Sequence, residues 1–157
     1  MISQRWVAVT EPQFPWDRAA LTYLRERLPD QEAFRAWSNF EFIAADGSIN
    51  EVDLLVVSLD KIYLVEINSR PGRVSGDAGA WTWTHEGRHV TEDNPLLLAN
   101  RRAKKLKPLL LHQSALRHAR TPDIEPSIFP SALGFQCDLS GAARTGVYLC
   151  HDTEQTG

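Results

Sequence analysis

Two short apolar runs, each interrupted by one carboxylate, constrain the fold of this 157-residue chain more than any other feature. The runs, residues 52–57 and 62–67, are rich in β-branched residues, and only four residues separate them. That pattern predicts an antiparallel hairpin. Asp53 lies in the first run and Glu66 in the second. Because strand side chains alternate between faces, the register of the hairpin decides whether the two acids meet.

The length of the connecting turn sets that register. A two-residue turn at 59–60 places Asp53 directly opposite Glu66, with Cβ atoms about 5 Å apart. A four-residue turn keeps both acids on one face, whereas a three-residue turn separates them. Two buried carboxylates so close repel each other unless a cation lies between them, so we expect a Mg²⁺ or Mn²⁺ site. The alternative is that the acids lie at strand ends, solvated or paired with Lys61 or Arg70.

The rest of the pattern predicts an α/β or α+β domain with a central sheet and a helix before and after the main hairpin. The expected elements are a helix over 15–28, a strand over 37–43, a small hairpin over 81–90, a helix opening at Asn94-Pro95, and strands over 127–129 and 146–149. Pro108 is expected to kink or split the second helix. In the small hairpin, Trp81 and Trp83 share one face and either pack in a core or stack on bases.

Composition is that of one globular domain, with 43% hydrophobic and 24% charged residues. We expect the domain to span residues 1–150, with a core at about 14–135 and a polar tail at 151–157. No apolar run approaches the roughly 18–20 residues of a membrane span. The first residues also lack the apolar stretch of a signal peptide. These features predict a cytoplasmic protein with no membrane partner.

The net charge of −3 argues against a nucleic-acid partner, but it hides a segregated distribution. Between residues 94 and 122 there are seven Lys or Arg and no acid. Such a stripe can bind a row of phosphates. The alternatives are a solvated helix face and a surface for an acidic protein partner. The candidate phosphate-binding residues are Arg101, Arg102, Lys104, Lys105 and Lys107.

Several motifs occur in an order that resembles the nuclease-related domain (NERD) family of the PD-(D/E)XK superfamily. They are Asn50-Glu51-Val52-Asp53, the run from Val65 to Gly72, the Trp-containing hairpin and Asn94-Pro95-Leu96. The resemblance covers roughly residues 14–115. It implies a restriction-endonuclease-like fold, with a central mixed sheet flanked by helices.

Within that family, residues 72–83 and 94–111 are similar to the N-terminal module of the large serine/threonine kinase of phage-growth-limitation (BREX-type) defence systems. That similarity implies a kinase domain C-terminal to this one in a longer chain, of which the present sequence is an N-terminal fragment. It also implies a phage-defence context, with DNA as the partner.

The resemblance implies metal-dependent phosphodiester hydrolysis, with Asp53 and Glu66 as metal ligands. Asp17, on the inward stripe of the first helix, is expected to assist, as is Glu51. For Asp17 the alternative is an ordinary first-turn acid favoured by the helix dipole.

One catalytic position departs from the family. The superfamily has a lysine two residues after the glutamate, and this chain has Asn68 there, which can donate a hydrogen bond but has no charge to stabilise a transition state. If hydrolysis persists, Asn68 itself, Arg70 or Lys61 is expected to replace the lysine. The alternative is a catalytically degenerate module that binds nucleic acid or acts as a scaffold.

Overall fold

The computed structural model describes residues 5–28, 34–59, 61–69, 72–113, 123–131, 137–138 and 147–148. In chain order the elements are β1 (Trp6–Ala8), α1 (Pro15–Arg27), β2 (Arg35–Ile43), β3 (Ile49–Val57), β4 (Ile62–Ser69), β5 (Arg73–Gly76), β6 (Ala80–His85), β7 (Arg88–Asp93), α2 (Pro95–Leu111), β8 (Ile124–Ser131), β9 (Cys137–Asp138) and β10 (Val147–Tyr148). The expected tail at 151–157 lies outside the described residues.

The strands form two sheets. A six-stranded sheet has the order β1-β2-β3-β4-β8-β10, and a four-stranded sheet has the order β7-β6-β5-β9. In the larger sheet β3 pairs antiparallel with both β2 and β4, whereas β1 pairs in parallel with β2, β8 with β4 and β10 with β8. The expected central mixed sheet is therefore confirmed.

The two helices cover opposite faces of the larger sheet. Helix α1 packs through Ala20 and Leu21 against a cluster that includes Leu54, Val56 and Val65. Helix α2 packs on the other face, where its buried residues join a second cluster. That cluster includes Leu55, Ile62, Leu64, Leu96, Ala99, Ala103, Leu106 and Ile128. The result is an α/β domain in which the β3–β4 hairpin lies between both helices.

The smaller sheet completes the α2 side of the core. Val74, Trp81 and Trp83 join the same cluster as α2. Trp81 is 0% exposed and Trp83 is 4% exposed, so neither ring can stack on a base. The packing alternative for the two tryptophans is confirmed.

Local signals in the sequence explain where the helices begin. Pro15 occupies the first turn of α1, and Asn94 caps α2 by accepting a hydrogen bond from the Leu96 N–H at 2.9 Å. Of the kink or split expected at Pro108, the split does not occur, because Pro108 lies in the last turn of α2, where little helix remains to be broken. Neither helix of the described residues is long and apolar enough to cross a membrane.

Candidate active site

The register of the β3–β4 hairpin brings the two predicted acids together. Leu54 pairs with Val65, so the next position in the same register places Asp53 opposite Glu66. This is the arrangement expected for a two-residue turn. The regular ladder ends at Leu54, and the next strand N–H, that of Ile67, donates to Oδ2 of Asp53 at 2.8 Å. The carboxyl groups of Asp53 and Glu66 also lie within hydrogen-bonding reach of each other.

Strand β3 is distorted at this point. Every position of the β2–β3 ladder pairs except that of Asn39, which would face Asp53. Asn39 has a φ of 52°, a left-handed value that asparagine accepts more readily than most residues. Leu54 and Val56 pack on the α1 side, but Val52 joins the cluster on the α2 side. The alternation of side chains therefore breaks at Asp53.

Glu66 is paired with a cation from helix α2. Nη1 of Arg102 donates to Oε1 of Glu66 at 2.7 Å, and the two side chains are 17% and 9% exposed. Arg102 follows the buried Ala99 by three residues and precedes the buried Leu106 by four, so it lies beside the inward stripe of α2. The sequence interpretation placed Arg102 at the margin of the leucine stripe, among the candidate phosphate-binding residues. The structure places it on Glu66, and the helical spacing by itself shows only that Arg102 borders the buried stripe.

Burial and mutual repulsion perturb both carboxyl groups. Burial raises the pKa of Asp53, against the opposing effects of the Ile67 N–H and of Arg102. For Glu66, burial and the neighbouring charge of Asp53 raise the pKa to about 7, although Arg102 pulls it down. One guanidinium therefore does not compensate two buried carboxylates, and the pair favours a proton or a further cation.

A cleft of about 480 Å³ opens beside Asp53. Residues 9–14, the start of α1, and parts of β2, β3 and β4 line it. Asp17 and Glu51 line it too, so the structure brings both expected assisting acids to the side of Asp53. The charge of Glu51 contributes to the raised pKa of Asp53.

Three further residues of the cleft were not identified from the sequence. Glu11 and Glu41 add two acids, and no lysine or arginine is among the described residues that line the cleft. Glu41 faces Glu51 across the β2–β3 ladder, a pairing that the sequence interpretation did not derive because it did not pair β2 with β3. The third is Asn39, whose Nδ2 is buried with no hydrogen-bond partner among the described residues. It presents a donor close to the acids.

Of the basic residues expected to replace the family lysine, the structure describes Lys61, which lies far from the pair. Lys61 is exposed at the turn, five residues from Glu66 and therefore about 16 Å away along the strand, so it neither neutralises the pair nor substitutes for the lysine. Arg70 lies outside the described residues. Asn68 is half-buried on β4, two residues beyond Glu66, where strand alternation puts it on the same face.

Two more residues of the predicted phosphate stripe bind carboxylates. Nζ of Lys105 lies 3.2 Å from Oδ2 of Asp46 and donates to Oγ of Ser48 at 2.9 Å. Lys107 forms an ion pair with Asp123. Together with Arg102, three of the five predicted stripe residues thus contact acceptors within the protein. The other two of the five, Arg101 and Lys104, are exposed. Arg117 and Arg120, which complete the seven basic residues between 94 and 122, lie outside the described residues.

The donor set at the pair suits a hard cation. Asp53 and Glu66 offer carboxylate oxygens, and Mg²⁺ is typically held by one or two carboxylates, with waters and substrate phosphate completing its shell. No group of three or more His, Cys, Asp or Glu side chains among the described residues forms a metal cage. The pair therefore fits an open Mg²⁺ or Mn²⁺ site and not a closed structural one.

Comparison with known proteins agrees with this architecture. Residues 13–130 match the nuclease-related domain (NERD) family. The probable kinase PglW of Streptomyces coelicolor is 46% identical over 114 residues, which are 72% of this chain but 7% of that protein. The chain therefore spans a small part of this curated relative. No solved structure matches. The chain belongs to the nuclease-related domain family.

Proposed function

We propose that this domain binds nucleic acid and hydrolyses phosphodiester bonds with a Mg²⁺ or Mn²⁺ ion held by Asp53 and Glu66. The supporting observation is the pair itself. Two carboxylates face each other in the central sheet, and one guanidinium, that of Arg102 from α2, binds Glu66. Burying like charges destabilises a fold. A divalent cation is the ligand that would relieve that repulsion.

The bound ion would polarise the scissile phosphate and lower the pKa of a water molecule. The chain's own residues prepare the site. The Ile67 N–H orients the carboxylate of Asp53, and the β4 strand holds Glu66 opposite it. Asn68 offers an amide donor where the family has a lysine, and Asn39 offers a second amide in the cleft.

Nucleic acid would approach from the side of α2. The cleft beside Asp53 is lined by five acids and repels a polyanion, whereas Arg101 and Lys104 are exposed on the helix that reaches Glu66. Each phosphate contact from such residues adds salt-dependent affinity. We take DNA as the substrate and the cytoplasm as the location. We also place a kinase domain in the same full-length chain, because the relative is named a probable kinase. The phage-defence context is the one that the family resemblance implies.

A metal-dependent nuclease assay on plasmid and single-stranded DNA tests the proposal. Asp53→Ala and Glu66→Ala should each abolish Mg²⁺-dependent cleavage, because each removes a metal ligand. Glu86→Ala, which removes an exposed acid from the turn between β6 and β7, is the matched control and should cleave as the parent does. Persistent cleavage by the Asp53→Ala/Glu66→Ala double variant would contradict the assignment.

A second candidate is a binding or scaffold module that has lost hydrolysis. The supporting observation is the charge arrangement, in which Asn68 replaces the lysine and Arg102 binds Glu66. Asn68→Lys distinguishes the two candidates, since cleavage gained from an inert parent would favour the degenerate module. In that case the parent should still bind DNA, and more weakly as salt rises. Salt-insensitive binding would instead favour an acidic protein as the partner of α2.

A further inference from the structure

Arg102 binds one of the two carboxylate oxygens of Glu66, a proposed metal ligand. Nη1 lies 2.7 Å from Oε1 of Glu66, with both side chains largely buried. Mg²⁺ sits about 2.0–2.1 Å from a carboxylate oxygen. An ion and a guanidinium on the same oxygen would therefore be two positive charges a few ångströms apart, with little water to screen them.

We propose that Arg102 is the resident counter-ion of the Asp53–Glu66 pair, and that a divalent cation binds there by displacing the guanidinium from Glu66. This inference rests on the proposed function, in which the pair holds the metal. It adds that the chain carries its own competitor for that metal.

An exchange of partners keeps the ion and the guanidinium off the same carboxylate. Oε1 of Glu66 accepts from Arg102, and the Glu66 carboxyl also contacts that of Asp53. Arg102 sits on a long flexible side chain anchored in α2, so it can leave Glu66 without any movement of the sheet. Without a metal ion the guanidinium would keep the two buried acids together.

Calorimetric titration with Mn²⁺, without nucleic acid, tests the inference. Arg102→Gln should bind Mn²⁺ about tenfold more tightly than the parent, or better, because the competitor is gone. Arg101→Gln is the matched control, since it removes the adjacent exposed arginine of the same helix. Its Mn²⁺ affinity should stay within about twofold of the parent, because an exposed charge is well screened. Asp53→Asn in the Arg102→Gln background should remove the gain.

A second measurement keeps the test decisive if Arg102→Gln does not fold. Mg²⁺ is titrated into the parent chain, and the side-chain ¹⁵Nε resonance of Arg102 is followed, assigned by its absence in Arg102→Lys. It should move to the position of an exposed arginine as Mg²⁺ saturates the site.

Three outcomes overturn the inference. They are a Mn²⁺ affinity of Arg102→Gln that equals or falls below that of the parent, an absence of binding to both chains, and an Arg102 resonance that Mg²⁺ leaves in place. A different result would refute the proposed function alone. A tighter Mn²⁺ site in Arg102→Gln, with no cleavage by the parent or by Asn68→Lys, would refute hydrolysis and leave the counter-ion role intact.

Discussion

Two charge clusters contact helix α2, one around Asp46 and one around Glu66, and the pKa values of these two carboxyl groups shift in opposite directions. At the β2–β3 turn, Asp46 accepts hydrogen bonds from Ser48, pairs with Lys105 at 3.2 Å, and has its pKa lowered to about 2. In the sheet, Glu66 pairs with Arg102 at the shorter distance of 2.7 Å, yet its pKa rises to about 7.

The difference shows that burial and like charge outweigh a single close cation. Asp46 is exposed, so water and hydrogen bonds both favour its ionised form. Glu66 is 7% exposed and lies against Asp53, so ionisation is penalised twice. The Asp46–Lys105 pair is therefore a surface contact between α2 and the β2–β3 turn, and solvent screens it. In the sheet, one guanidinium does not compensate the two carboxylates of Asp53 and Glu66. A perturbed pair of this kind is expected of a site that binds a ligand.

Replacing each cation in turn should give the largest difference between the two clusters in the loss of unfolding free energy. Arg102→Met leaves two buried carboxylates without a cation, and should lower the unfolding free energy of the metal-free chain at pH 8 by roughly 3 kcal/mol. Lys105→Met removes an exposed pair and should change stability little. Urea denaturation of both variants checks this, and equal losses would show that burial does not separate the clusters.

The pH dependence of stability should show the next largest effect. The pKa of Glu66 is about 7 in the folded chain against an ordinary value of 4.5, so between these values the folded state holds a proton that the unfolded state has lost. Stability should therefore fall as pH rises from 4.5 through 7, on the order of 2–3 kcal/mol.

Glu66→Gln should remove this part of the pH slope, because glutamine does not titrate. The measurement is urea denaturation of the metal-free parent and variant at pH 5 and pH 8. If the parent loses no more stability than Glu66→Gln between these two values, the raised pKa of Glu66 is wrong.

Asp46→Asn should have the smallest effect on the pH dependence of stability. The pKa of Asp46 is lowered from 3.8 to about 2, so its contribution is present above pH 3.8 and is lost only as pH falls through 2. The variant should therefore keep the parent's stability profile between pH 5 and pH 8. Carboxyl ¹³C resonances of the parent should titrate near pH 2 for Asp46 and near pH 7 for Glu66. An Asp46 midpoint near 4 would remove the contrast.

The sequence predicted the acidic half of the site better than the basic half. The sequence limited the hairpin register to a few turn lengths, and the two-residue turn, which places Asp53 opposite Glu66, is the one that the structure has. The partner of Glu66 could not be derived, because Arg102 is 36 residues away and its contact depends on how α2 lies across the sheet. The charge pattern of α2 showed a basic helix, but not which of its cations meet acids from other elements.

The break at Asn39 is another feature that sequence patterns do not show. Strict alternation would put Val52 on the face of Leu54, and a left-handed asparagine on the neighbouring strand accompanies the reversal. Periodicity describes an ideal strand, whereas this distortion depends on how β2 and β3 pair around Asp53.

The starts of both helices, which depend on chain neighbours, thus followed from the sequence alone, whereas the opposed acids of the hairpin were one of the registers that the sequence left open. Tertiary structure decided how the charges are shared. In the folded chain Arg102 pairs with Glu66, Lys105 pairs with Asp46, and Arg101 is exposed. The physical reason is that pairing energies depend on distance and burial, and both are set only when segments distant in sequence pack against each other.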